Sequence, residues 1–570
     1  MISLGINYSE MHDSAACIAR DGQILFAVAE ERMSRLKHDA RFPVLSIEAC
    51  LAAAGIRSDQ LDFVCFGWPP AMEALKHDLK CMATGSLPLT YVDLASTVRR
   101  NLNHTRKQNG KKQFLARFRT KAQFRFVEHH LAHAISGYSF SGFDDAAVLV
   151  LDGRGAWEAS SLWHGRDCRL EHVWSIPWPN SLGLFYAQFT DYLGFQPYSD
   201  EWKVMGLAPY GEPGINLRDF IVPDDNPYKV STRLLLDDKP SPLAGITARL
   251  GPQREAESEI NPKHKNIAFA VQDACEEAMM TLARAAVTKT GSRNICLAGG
   301  VALNSKANGK ILSSGIVEGI FVQPAAGDDG VCLGAALAPY LDGGGKLPMH
   351  KMRHAYLGAE NSDAEIEKAL TIYKLRATRV ADPAAAAAEM LANGKILGWV
   401  QGRMEFGPRA LGARSILADP RDPEMNAKVN NAVKFREWWR PFAPSMLAEA
   451  AGEYIESATD SPFMILTAQV KPEKRSVIPS VTHVDGSARP HTVERDVNPL
   501  YWRLIREFGN RTGVPVVMNT SFNLRGEPIV STPTDAVRTF FSSGMDALVI
   551  GSFVVEKRMP RPLAKLSAKV

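Results

Sequence analysis

Three histidines fall within five residues in FVEHHLAHAISGY, Phe126 to Tyr138, from a chain of 570 residues that holds fourteen. His129 and His133 stand four apart. On a helix that spacing puts two imidazoles on one face, about one turn apart, where they can share a metal ion or simply pack. His130 points elsewhere on such a helix and is left out of the ligand set. Two carboxylates strengthen the metal reading. Asp152 ends an apolar run in VLDGRG, and Asp328 follows another in AGDDG. Strand C-termini are where α/β folds bind ligands. Two imidazoles and two carboxylates, with no thiolate, suit iron(II), manganese or zinc. The competing reading of Asp328 is a helix N-cap.

Other stretches carry different chemistry. In AGGVALN, Ala298 to Asn304, adjacent glycines let backbone approach a ligand, and helix N-terminal amides favour phosphate. Gly299, Gly300 and Asn304 are therefore candidates for nucleotide contact. Further on, Arg403, Arg409 and Arg414 lie among glycines, followed by Lys434, Arg436 and Arg440 in KFREWWRPFAP and Arg489 in SARPHTV. Guanidinium forks match phosphate and carboxylate oxygens. With Asn519 and Ser521 at the end of a strand, they predict a pocket for a small phosphorylated or carboxylated substrate. His12, in the polar loop MHDSAAC, is a candidate general base or orienting donor.

These residues need a scaffold. Ile2–Asn7, Ser14–Ala19 and Ile24–Ala29 read as three strands, with a polar loop after the first and a tight turn at Asp21-Gly22. Ala147–Leu151, Ala159–His164 and Leu170–Ile176 repeat the pattern, with the loop Asp152–Gly155 in the same place. Two related halves, each offering a polar loop to a shared cleft, predict an actin-like ATPase fold. Helices are expected at Ile267–Thr288 and Val331–Leu341, and strands at Asn294–Leu297 and Gly319–Gln323. LDGGGKLP closes this first α/β domain, 1–348. A second α/β domain, 349–570, holds an alanine-rich helix over 384–393 and strands at Ile396–Val400 and Val514–Met518.

Bulk properties agree. A single core rarely grows beyond about 300 residues, so two domains are expected. A net charge of +4 is small for this length and predicts no general nucleic-acid binding. No apolar run is long enough to span a membrane and no secretory signal opens the chain, so a cytoplasmic location is expected. Eight scattered cysteines without a C-x-x-C pair fit a reducing compartment. Arg99 to Arg125 carries ten Lys/Arg and no Asp/Glu, which reads first as a solvated basic helix. A homodimer is the default oligomer.

Several stretches, taken together and in order, resemble the carbamoyltransferases of the nodulation-protein U and cephamycin-biosynthesis family, which includes antibiotic O-carbamoyltransferases. They are MHDSAAC, EERMSRLKH, VEHHLAHAISGY, VLDGRG, KVMGLAPYG, AGGVALN, GDDGVCLGAA, QGRMEFGPRALGARSIL, REWWRPFAPSML, ARPHTV and NTSFNLRGEPIV. The resemblance implies an actin-like (ASKHA) first domain and a YrdC-like second one. It implies that carbamoyl phosphate yields carbamate, that carbamate and ATP (with Mg2+) give carbamoyl-adenylate, and that the carbamoyl group passes to a hydroxyl of a small natural product or sugar. By the same resemblance His129, His133, Asp152 and Asp328 hold a divalent metal, Fe2+ first. His12 acts in transfer and Lys37 lies near the nucleotide. Arg409, Arg440, Arg489 and Asn519, with Ser521 beside them, bind carbamoyl phosphate. The rival readings are a tRNA threonylcarbamoyl transferase-like enzyme and a non-catalytic nucleotide-binding scaffold of the actin-like fold.

Overall fold

The computed structural model describes residues 1–10, 12–68, 71–83, 110–222, 227–236, 243–457 and 460–557. The chain opens with β1 (Ile2–Asn7), β2 (Ala15–Arg20) and β3 (Gln23–Ala29), joined antiparallel. Asp21 and Gly22 turn the second hairpin with φ of 50° and 82°, the twist that two-residue hairpins require. β4 (Phe63–Phe66) and β5 (Gln123–Phe126) run parallel to β1, giving the order β3-β2-β1-β4-β5.

A second sheet repeats this plan. It contains β6 (Asp145–Leu151), β7 (Glu158–Arg166), β8 (Arg169–Pro177), β9 (Asn294–Ala298) and β10 (Gly319–Val322), in the order β8-β7-β6-β9-β10. β6 to β8 are antiparallel, and β9 and β10 are parallel to β6. The central strands β1, β2, β6 and β9 are near-continuously buried because both faces of each sheet are covered there, whereas the edge strands β5 and β8 are largely exposed. Helices α1 (His129–Tyr138) and α2 (Val331–Leu337) pack on each other and on β6 and β1 respectively. They can do so because Gly334 has no side chain: a Cβ there would lie 1.8 Å from the Ala132 carbonyl oxygen. The expected helix Val331–Leu341 stops at Leu337, and the chain tightens into a 3-10 turn over Ala338–Gly344. Pro339 lacks the N–H that a further α turn would use.

The C-terminal part is built on one mixed eight-stranded sheet. Its strands are β11 (Thr378–Arg379), β12 (Leu397–Val400), β13 (Arg414–Ala418), β14 (Ala443–Leu447), β15 (His491–Val493), β16 (Val516–Ser521), β17 (Ala547–Ile550) and β18 (Phe553–Glu556). The order is β11-β18-β17-β12-β13-β16-β14-β15. Period-two alternation sends Ile416, Val516 and Met518 into one core and Leu417 and Val517 into another. Helices Pro383–Ala392 and Pro499–Thr512 cover the second.

Side chains pin the parts together. Arg35 donates to the carbonyls of Pro528 and Ile529 at 2.8 and 2.6 Å, and pairs with Asp535 at 3.2 Å. Arg32 reaches the Gly407 carbonyl at 3.1 Å. Arg403 returns the tie through the Leu25 carbonyl at 2.8 Å. Of the basic segment, residues 99–109 lie outside the described residues; 110–115 form a short helix and 123–126 are β5.

Candidate active site

His129 is the first residue of α1, whose N-cap is Glu128, its carboxylate accepting from the Leu131 amide at 2.9 Å. That start sets His129 and His133 one turn apart, ring centroids 4.7 Å from each other. Asp152 follows β6 and Asp328 opens the turn before α2. His129 Nε2 lies 3.1 Å from Asp152 Oδ2 and 3.7 Å from Asp328 Oδ1, and His133 Nε2 lies 3.9 Å from Asp152 Oδ2. One donor atom from each of the four falls within 4.8 Å of the others. Donors about 2.1 Å from a shared ion stand roughly 3.4 Å apart, so the set needs little adjustment to close on a cation.

The electrostatics favour a cation there. His129 Nδ1 meets the Gly67 carbonyl at 3.0 Å. Its proton therefore sits on Nδ1, and Nε2 must carry either a second proton or an ion before it can face Asp152. Burial opposes a charge on His129, yet Asp152 and Asp328 raise it to about 9. Burial and the His129 charge push His133 down to about 3. Burial and Asp152 push Asp328 up to about 7. Burial works against Asp152, but the hydrogen bond from His129 holds it well below the usual carboxylate range. Both ring nitrogens of His133 are buried without a hydrogen-bond partner. Orphaned buried nitrogens are costly, and a metal ion would satisfy one of them. The N2O2 set fits a divalent metal of the iron, manganese or zinc kind.

His130 turns away: its Nδ1 meets Ser161 Oγ at 2.8 Å. The AGGVALN turn builds this site. Gly299 has φ of 88°, and a Cβ on it would lie 2.2 Å from the Leu151 carbonyl oxygen. The close approach lets the Gly300 amide donate to Asp152 Oδ1 at 3.2 Å, which leaves Oδ2 for His129. Asn304 caps the helix Ser305–Ser313 through the Ala307 amide at 3.1 Å and donates to Gln272 at 3.1 Å. Its side-chain amide nitrogen also donates to Cys275 Sγ at 3.9 Å, so both of its hydrogens have partners before any nucleotide contact at Asn304.

The second cluster lies in the C-terminal part. Arg409, Arg436, Arg440 and Arg489 stand close enough to depress one another. Burial, only partly offset by Glu437, pushes Arg440 down to about 9, with Arg409 adding to the push; burial takes Arg409 to about 10. Nε of Arg409, Nε of Arg489 and one Nη of Arg436 are buried without a partner. Arg440 lies 3.4 Å over the ring of Trp202 and 3.5 Å from Glu437. Asn519 donates to the Ala410 carbonyl at 3.1 Å and to Ser445 Oγ at 2.9 Å, leaving its own buried Oδ1 unpaired. Ser521 meets a lysine rather than a guanidinium fork. It accepts from Lys434 Nζ, at 2.8 Å through its carbonyl and 3.3 Å through Oγ. Lys434 is pushed well below its usual range by burial, then by Arg436, Arg440 and Lys37. Exposed Lys37 therefore stands near this pocket.

Two arginines of the expected pocket do other work. Arg414 is fully buried and donates to the carbonyls of Gln401, Gly402, Ala413 and Ala359. Arg403 donates to those of Gly358, Leu25 and Leu357. Both are structural ties. The sequence pattern also gave no sign of the Gly67 carbonyl, of Trp68 tilted against His129 with ring centroids 4.0 Å apart, or of Trp202 beneath Arg440. Trp68 lies two residues past the end of β4, and an aromatic residue near a strand end was the one available signal.

The carbamoyltransferase N-terminus family model matches residues 3–337, and the carbamoyltransferase C-terminus model matches 388–557. The chain belongs to the carbamoyltransferase family and is a carbamoyltransferase. An uncharacterized protein of Synechocystis is 40% identical, over 97% of this chain and 96% of the relative. Nodulation protein NolNO of Sinorhizobium fredii is 39% identical, over 98% of this chain and 81% of its own. Among solved structures, HypF of T. kodakarensis aligns with a TM-score of 0.34 and 13% identity, covering 61% of this chain and 48% of that one, a likeness too slight to bear on function. Among the described residues no helix is long and apolar enough to cross a membrane.

Proposed function

We propose that the chain makes carbamoyl-adenylate from carbamoyl phosphate and ATP, and passes the carbamoyl group to a hydroxyl of a small natural product or sugar. The observation that carries this reading is the arginine cluster. Four half-buried guanidinium groups converge, three of them with a buried N–H that has no partner, and only Glu437 and Asp200 oppose them. Such a site is built for a small, doubly charged anion. Arg409, Arg440 and Arg489 hold the phosphate of carbamoyl phosphate, and the free Oδ1 of Asn519 accepts from its amide. Lys37, at the mouth, serves the nucleotide. In this reading 1–348 is an actin-like transfer domain, which the two sheets of identical order support, and 349–570 is a YrdC-like activation domain.

His129, His133, Asp152 and Asp328 would hold the metal, which supplies Lewis acidity at the carbamoyl oxygen when bound. The chain's own groups do the rest. The Gly67 carbonyl and the Gly300 amide fix the faces that His129 and Asp152 present. The pinned segments keep carbamate from water between the two sites. A cleft of about 990 Å³, lined by Lys203, Arg254, Glu437, Trp438 and Arg525, is large enough for a sugar-sized acceptor.

The test is incubation of the purified chain with ATP, carbamoyl phosphate and candidate alcohols. AMP and pyrophosphate are expected only when carbamoyl phosphate is present. AMP release that ignores carbamoyl phosphate would refute the reading.

A further inference from the structure

Between the two clusters lies a constellation that neither site uses. Ser199 Oγ stands 2.9 Å from His38 Nε2. On the far side of the ring, Nδ1 stands 3.0 and 3.2 Å from the two oxygens of Asp13. The three residues come from three distant segments. Their order, hydroxyl to imidazole to carboxylate, is that of a proton relay. The carboxylate keeps the proton on Nδ1, so the Nε2 lone pair faces the hydroxyl.

The relay is tied to both sites. The Asp13 carbonyl accepts from Asn7 Nδ2 at 2.6 Å, Asn7 Oδ1 accepts from Trp68 Nε1 at 2.9 Å, and the Trp68 ring meets that of His129 at a tilt, centroids 4.0 Å apart. In the other direction, Asp200 beside Ser199 pairs with Lys203 at 2.9 Å, Lys203 with Glu437 at 3.0 Å, and Glu437 with Arg440 at 3.5 Å. His38 is exposed, so an acceptor can reach it. His12 is oriented differently. Its ring meets Tyr198 at 5.6 Å and its amide donates to Ser9 Oγ at 3.3 Å. Among the described residues no carboxylate is aligned behind its ring as Asp13 is behind His38.

We propose that His38 is the general base of carbamoyl transfer, that Asp13 is its positioning residue, and that the acceptor hydroxyl takes the place Ser199 Oγ holds beside Nε2. The inference rests on the carbamoyl-adenylate reading. The acceptor O–H proton passes to Nε2 as its oxygen bonds to the carbamoyl carbon. The bond from that carbon to the adenylate phosphate oxygen breaks, and AMP leaves with the electron pair. No electron donor or further reactant is needed. The proton-accepting role expected of His12 moves to His38.

The charges around the base fix the sign of its pH dependence. The hydrogen bond to Asp13 raises His38 above its usual value, burial opposes it, Glu31 adds to the rise and Lys37 subtracts. Arg32 and His12 act on Asp13 in turn. A base works unprotonated, so transfer should climb with pH through a value above the ordinary histidine range.

Glycerol and hydroxylamine separate a base from a scaffold, because hydroxylamine attacks without being deprotonated first. With the full chain, ATP and radiolabelled carbamoyl phosphate, three rates are read: carbamoyl-phosphate-dependent ATP–pyrophosphate exchange, transfer to glycerol, and transfer to hydroxylamine. His38→Asn and His38→Gln should keep exchange, lose about 10²- to 10⁴-fold in transfer to glycerol, and keep transfer to hydroxylamine within a few-fold. The rising limb of the pH profile should vanish with them. Asp13→Asn should show the same split more weakly, and Ser199→Ala and His12→Asn should not show it. Glycerol transfer at the wild-type rate in both His38 variants would overturn the proposal. So would equal loss with both nucleophiles, or recovery of either variant by added Mg2+ or Mn2+, since Asp13, Glu31 and His38 are spaced closely enough to hold a cation. Exchange missing from the wild type would instead defeat the adenylate reading. The glycerol and hydroxylamine rates would still judge His38.

Discussion

The metal cluster is buried and the arginine pocket half-buried, and they are unbalanced in opposite directions. Around His129 two carboxylates face two imidazoles, one of which burial keeps neutral. The site can settle its charge with one proton or, better, one divalent cation. Around Arg440 four guanidinium groups push one another down against two carboxylates, Glu437 and Asp200, which Lys203 also claims. That site cannot settle itself; it needs an anion. The first is therefore a place where a ligand replaces a proton, and the second one where a ligand replaces water and relieves repulsion. Strain stored at a functional site is retained because function needs it.

Breaking the first site should have the largest effect. Asp152→Asn removes the carboxylate that meets both histidines. Elemental analysis should find the metal gone and transfer to an acceptor at background, while carbamoyl-phosphate-dependent pyrophosphate exchange continues. Loss of exchange as well would mean that the two sites are one. Arg489→Met probes the second site and should act in two directions. KM for carbamoyl phosphate should rise about 10²-fold, the worth of a charge-assisted pair of bonds. The melting temperature should rise too, because a buried charge beside Arg409 and Arg440 is gone. A variant that melts lower would show that the pocket is not repulsive and would remove the contrast.

The segment between the sites has its own signature in acid. Arg41 donates to both oxygens of Asp39 and holds the carboxyl down to about 2, against burial. A depressed carboxyl stabilises the fold above its unfolded value, about 3.9, and the contribution fades as pH falls toward 2. Wild type should therefore lose stability between pH 4 and about pH 2 more steeply than Asp39→Asn, read by thermal melts across that range. Parallel curves would remove Asp39 as an anchor of the loop that carries His38.

How far the sequence foretold this depends on which residues had to meet. The repeat of three strands was legible because its turns and alternation are local: Asp21-Gly22 marks a hairpin whatever lies elsewhere. The eight-stranded sheet was not, since β12 pairs with β17 from 150 residues away, as in Leu397 with Ala547. His129 and His133 were legible through their spacing, and Asp152 and Asp328 through their place after apolar runs. The arginines were only half legible. Arg409 and Arg414 sit in the same glycine-rich run and each keeps Nε unpaired, yet the Nη atoms of Arg414 go to four carbonyls. Which carbonyls lack a donor is a property of the packed core, and no local pattern records it.

The turn AGGVALN gives the smallest effect and the finest test of the contrast. Its glycines suggested a phosphate cradle. In the fold, the Gly300 amide faces Asp152 and Asn304 caps a helix. Asn304→Ala should then cost about 1 kcal/mol from the lost cap, together with the bond to Gln272, and leave KM for ATP unchanged. Urea melts and ATP titration of the exchange rate separate the two quantities. Should KM for ATP rise several-fold with stability intact, the nucleotide would lie against Asn304, and the cation-seeking site would seek phosphate as well. Unchanged KM with a lowered melting midpoint keeps the nucleotide on the other side of the cleft, near Lys37 and the arginines. The two opposite imbalances would then belong to two separate ligands.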